Sequence, residues 1–119
     1  MPFDVDALVE ARVKVAVLKA ALIVEQDRYG SLKLRAEMDM ITILGPDGLG
    51  ANKEIRDRTL AIATEADTLT QESLARLHET QAGLFAAEAL LDGLRDQRRQ
   101  LEFEQRERLG ISTPEWENR

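Results

Sequence analysis

The chain has 119 residues, and its 22 acidic against 16 basic side chains leave a formal charge of −6, a balance that argues against a surface built for nucleic acid. It contains no cysteine and a single histidine, so disulfides, thiolate nucleophiles, cysteine-held metals and poly-histidine metal sites are excluded. The opening residues lack a basic segment followed by an apolar run, and the longest apolar-rich stretch, 15–24, is broken by Lys19, so a cytoplasmic protein without a membrane span is expected.

The first element predicted is a helix over about 4–44. Asp4 is suited to cap it, and Asp6 lies in its first turn, where the helix dipole favours a negative charge. Leu8, Ala11, Val15, Leu18, Leu22, Glu25, Tyr29, Leu32, Ala36, Met40 and Ile43 follow steps of three and four residues, and all but Glu25 are apolar, which is the signature of a helical seam. The competing reading is local β structure, because 13–17 and 40–43 are rich in β-branched residues. A strand at 40–44 would lack a hairpin partner, since no matching run follows.

The next element is a turn over 45–51. Gly45-Pro46-Asp47-Gly48-Leu49-Gly50 is the one dense turn signal; Pro2 and Pro114, the remaining prolines, sit near the ends. A second, longer helix is predicted over about 52–109, capped by Asn52 with Glu54 behind it. Its seam runs Ile55, Thr59, Ile62, Ala66, Leu69, Ser73, Leu77, Thr80, Leu84, Ala87, Leu91, Leu94, Arg98, Leu101 and Gln105, with ten of these fifteen apolar. Each seam holds one pair of consecutive four-residue steps, 32-36-40 and 69-73-77, a stutter that locally unwinds a coiled coil. Gly110 is placed for a left-handed stop with Ile111 set to contact the last turn, and 111–119 reads as a flexible tail.

These elements predict an all-α protein: a single domain over 1–110, folded as a long antiparallel two-helix coiled-coil hairpin. At 1.5 Å per residue the helices would be ~60 and ~85 Å long, so residue 4 would face about residue 92 and the rest of the second helix would project. That overhang carries Leu94, Arg98, Leu101 and Phe103, which with Trp116 in the tail are the candidate partner-binding residues. A second apolar row, Val9, Val13, Val17, Ala20 and Val24, is offset from the seam of the first helix. One partner helix covers one face only, and burying four valines is worth roughly 1.5–3 kcal/mol each. The row is therefore a candidate self-association surface, and a homodimer forming a four-helix bundle, or a higher homo-oligomer, is expected.

Catalytic constellations are absent from the pattern. His78-Glu79 begins like the zinc-protease helix motif, but Ala82 stands where the second histidine belongs. Gly45, Gly48 and Gly50 do not have dinucleotide-loop or P-loop spacing, although Asn52, Lys53 and Arg56 at a helix start form a candidate anion-binding group. Acid pairs such as Glu65/Asp67 and Glu102/Glu104 are two residues apart, point in different directions on a helix and read as solvated charge. No enzyme activity, cofactor or metal is expected. The arginines Arg95, Arg98, Arg99, Arg106 and Arg108 are the best case for nucleic acid, yet residues 95–119 hold six bases and six acids, which disfavours that partner.

Gly50-Ala51-Asn52-Lys53-Glu54-Ile55-Arg56, opening a helix rich in Ala, Leu, Glu and Arg through Leu101, resembles small bacteriophage- and prophage-encoded helical-hairpin proteins. In that group a glycine-lysine-asparagine turn, with an arginine four residues after the asparagine, marks entry to the second helix. Asn52 and Arg56 match, while the basic residue Lys53 follows the asparagine instead of preceding it. The resemblance covers about half the chain and implies a phage protein of undefined role, in a bacterial or phage-infected cytoplasm, without catalytic residues to transfer. The Trp-x-Gly class of secreted hairpins does not fit, because the only tryptophan is Trp116, and no strand pair of the prefoldin kind is visible. The function expected is that of a non-catalytic oligomeric protein acting as an interaction, assembly or inhibitory partner of another protein. The alternative is an accessory nucleic-acid-binding protein of replication or recombination that uses the arginines above.

Overall fold

A computed structural model of the chain describes residues 3–45 and 47–110. Three helices occupy most of them: α1 (Val5–Leu44), α2 (Lys53–Ala66) and α3 (Thr68–Arg108). The described residues contain no strand, so the β-branched runs at 13–17 and 40–43 are helical. The penalty of a few tenths of a kcal/mol per β-branched residue is offset where the side chain is used. Val15 is buried and Ile41 is half-buried.

The caps follow from residue chemistry. Asp4 Oδ1 accepts from the Ala7 amide at 3.1 Å at the start of α1, and Asn52 Oδ1 accepts from the Ile55 amide at 2.9 Å at the start of α2. Gly45 closes α1 at φ +74°, its amide donating to the Ile41 carbonyl at 2.8 Å. Gly48 follows because a Cβ there would collide with the Leu44 carbonyl oxygen. The connection is then tied down: Leu49 is buried and its carbonyl accepts from the Thr59 hydroxyl at 2.8 Å. Gly110, at φ +70°, receives the end of α3. The expected contact of Ile111, the tail 111–119 with Trp116, and Pro46 lie outside the described residues.

The single second helix expected over 52–109 is two helices. Between α2 and α3, Asp67 leaves the helical region at φ −80°, ψ 112°. Its Oδ2 then accepts from the Thr70 amide at 3.0 Å and from the Thr70 hydroxyl at 2.5 Å, which caps α3. The Gln71 side chain reaches back to the Thr64 carbonyl at 3.1 Å, a second donor to the oxygen that already accepts from the Asp67 amide at 3.2 Å. Asp67 is thus a structural cap and not the solvated charge expected from its pairing with Glu65. The Thr70 hydroxyl and amide, with Arg35 nearby, hold its carboxyl below its ordinary pKa.

The chain clusters into two compact units: unit 1, Met1–Ala16 with Phe85–Arg119, and unit 2, Val17–Leu84. In unit 1 the buried residues are Leu8, Ala11 and Val15 of α1 and Ala87 and Leu91 of α3, at the seam positions. In unit 2 the seam of α1 is half-buried from Leu18 to Met40, and the expected Ile43 is 75% exposed. On α2 and the start of α3 the buried row is Thr64, Thr70, Ser73 and Leu77, while the expected Ile55, Ile62 and Leu69 are exposed. The break at Asp67 resets the helical phase, so the apolar row read across it as one helix does not stay on the buried side. Thr64 and Thr70 are satisfied by hydrogen bonds to the Leu60 carbonyl and Asp67, whereas the Ser73 hydroxyl has no partner among the described residues.

Candidate functional site

The valine row of α1 faces water. Val9, Val13, Val17 and Val24 are 50–60% exposed, and Ala20 is exposed as well. The cause is helical phase: Val13 lies two residues, or about 200°, from both Ala11 and Val15, which are buried. Val5, Ile23, Leu34 and Met38 extend the exposed apolar side chains of α1 beyond the row read from the sequence. No helix among the described residues is long and apolar enough to cross a membrane.

The expected overhang of the chain's closing helix is not what unit 1 contains. Phe3 and Val5 line a cavity of about 590 Å³ together with Arg98, Leu101, Gln105 and Arg108. Leu8 and Arg12 line another of about 300 Å³ with Arg95, Arg98, Arg99 and Glu102. Residues 95–108 therefore flank the start of α1, which does not face residue 92. α1 has 40 residues and α3 has 41, so the long helix that carries these residues is not the much longer one expected.

This packing divides the candidate partner-binding residues. Arg98 and Leu101 line the larger cavity, Leu94 is half-buried, and Phe103 is 58% exposed. Charges on this part of α3 pair within the helix: Arg98 with Glu102 at 3.1 Å, Arg99 with Asp96 at 3.3 Å and Arg95 with Asp92 at 3.8 Å. Exposed pairs of this kind contribute about 0–1 kcal/mol each, so they hold the arginines loosely. Arg12, from α1, makes no ion pair among the described residues and was not singled out by sequence because only its packing brings it to the arginines of α3.

Asn52, Lys53 and Arg56 are all exposed, and the Asn52 oxygen already occupies the Ile55 amide that an anion would use. His78 is exposed on α3, and no group of three His, Asp or Glu among the described residues is placed to share a metal ion. The half-buried Glu25 pairs with Arg28 at 3.6 Å through Oε1, and its buried Oε2 has no partner among the described residues. Compared with known proteins, the chain matches no family model, no curated protein and no solved structure.

Proposed function

We propose that the protein is a non-catalytic, self-associating helical protein that works as an assembly or inhibitory partner of another protein. The observation that carries this reading is the exposed apolar row of α1, Val9, Val13, Val17, Ala20 and Val24, on the side turned away from the buried seam. A second copy is the covering expected. Burying the remaining half of each side chain gains about 1 kcal/mol, and the sum over two copies is comparable with the ~4–15 kcal/mol cost of association, so assembly depends on concentration.

In this reading α1 and α3 pair antiparallel as a coiled-coil hairpin, and two hairpins form a four-helix bundle through their valine rows. The order of cavity linings supports the antiparallel pairing within unit 1, where rising numbers from Phe3 into α1, as far as Arg12, meet falling numbers on α3, from Arg108 to Arg95. A phage or prophage origin rests on the Gly50–Arg56 turn, whose Asn52 cap and Arg56 one turn later have the spacing of that group.

The test pairs the unmodified chain with a variant carrying Val13→Glu and Val17→Glu, both at exposed positions. Light scattering coupled to size exclusion is expected to give twice 13.4 kDa for the former and 13.4 kDa for the latter. Equal masses for the two chains, with helicity retained by circular dichroism, contradict the proposal.

A further inference from the structure

We infer that the flank of unit 1 formed by the start of α1 and residues 95–108 of α3 docks an acidic peptide segment carrying one apolar anchor. The inference rests on the proposed role as a protein partner, but not on whether α1 self-associates.

The chemistry of the flank is graded along its length. The larger cavity has an apolar wall of Phe3, Val5 and Leu101, and its charges balance, Arg98 and Arg108 against Glu102 and Glu104. The smaller cavity has four guanidinium groups, on Arg12, Arg95, Arg98 and Arg99, against one carboxylate, on Glu102. Arg98 and Glu102 line both, so the two cavities share a wall. An occupant matched to this surface is apolar at one end and anionic at the other. At about 590 Å³ the first cavity has room for a leucine or aromatic side chain.

The guanidinium groups are available to such a segment. Arg95, Arg98 and Arg99 are held only by exposed carboxylates of their own helix, the weakest class of ion pair. A carboxylate arriving across the groove offers the fork-to-fork geometry that guanidinium prefers. Nucleic acid fits less well. The apolar wall of Phe3, Val5 and Leu101 has no counterpart in a phosphate backbone, whereas a peptide supplies an apolar side chain beside its carboxylates.

Fluorescence anisotropy on the full chain tests the inference with four labelled probes. One is a peptide with a leucine–tryptophan pair followed by a run of glutamates; in two controls the glutamates become glutamines or the apolar pair becomes alanines. The fourth is a single-stranded oligodeoxynucleotide of similar length. The acidic peptide is expected to bind at least about tenfold more tightly than each control. Arg12→Gln and Arg99→Gln are each expected to weaken it about three- to tenfold, with unchanged circular dichroism, while Lys33→Gln in unit 2 leaves it unaltered.

Absence of peptide binding overturns the inference, as does a glutamine or alanine control that binds equally well. Tighter binding of the oligonucleotide transfers the site to nucleic acid and overturns it too. Light scattering on the same samples separates the claims: an oligomer that ignores the peptide removes this inference alone, and a monomer that binds it removes the self-association alone.

Discussion

Replacing Ser73 with alanine is expected to stabilise the protein. Ser73 is 1% exposed at the centre of the buried row in unit 2, and its hydroxyl has no hydrogen-bond partner among the described residues. Leaving such a hydroxyl buried costs about 1–3 kcal/mol. Alanine also gains about 0.5 kcal/mol in helix propensity, while the small void left by one oxygen returns a few tenths of a kcal/mol. The net is about 1–3 kcal/mol in favour of the variant, or a rise of roughly 3–15 °C in Tm for a chain of this size. The assay is thermal and urea unfolding followed by circular dichroism at one fixed protein concentration, because association shifts apparent stability. Thr80→Ala serves as the control, since the Thr80 hydroxyl already donates to the Arg76 carbonyl at 2.9 Å on a part-exposed surface. A Ser73→Ala variant less stable than the parent refutes the reasoning, for the hydroxyl would then be engaged.

Three further outcomes follow from the helix ends and breaks. Asn52→Ala is expected to cost about 1 kcal/mol through loss of the bond to the Ile55 amide, measured by urea unfolding, with Asn52→Asp near the parent value. Gly93→Ala is expected to gain up to about 1 kcal/mol, because nothing lies within 4 Å of the added methyl, whereas Gly48→Ala destabilises by driving that methyl into the Leu44 carbonyl oxygen. Asp67, whose folded pKa lies below its ordinary value because of the Thr70 hydroxyl, the Thr70 amide and Arg35, contributes stability above its unfolded pKa and loses it as pH falls through the lower folded value. Acid unfolding of Asp67→Asn is therefore expected to be flatter than that of the parent below about pH 4, as read from Tm against pH.

The residues explain why some elements were legible in the sequence and others were not. The seam of α1 declares itself because apolar residues recur at every third and fourth position, and from Leu8 to Met40 the structure buries or half-buries each of them. Asp4, Gly45, Asn52 and Gly110 were readable as ends because each residue type carries its own capping chemistry. The junction at Asp67 has neither glycine nor proline; its only signal is an aspartate with threonine and glutamine three and four residues later, which is also ordinary helix composition. Reading through it kept Ile62 and Leu69 on the seam, where the structure places the small polar Thr64 and Thr70. The same omission made the closing helix look too long, which hid Phe3, Val5 and Arg12 from the candidate site. Arg98 and Leu101 were accessible to sequence reasoning, but their neighbours across the groove depend on how the start of α1 packs against α3, which no single residue of either helix declares.

Whether the exposed valines of α1 meet a second copy is the central question. Sedimentation equilibrium of the unmodified chain from about 1 to 100 μM, the range where an interface of this modest size changes state, measures that directly. The predicted result is a mass that rises with concentration toward twice 13.4 kDa; a constant 13.4 kDa throughout would contradict it.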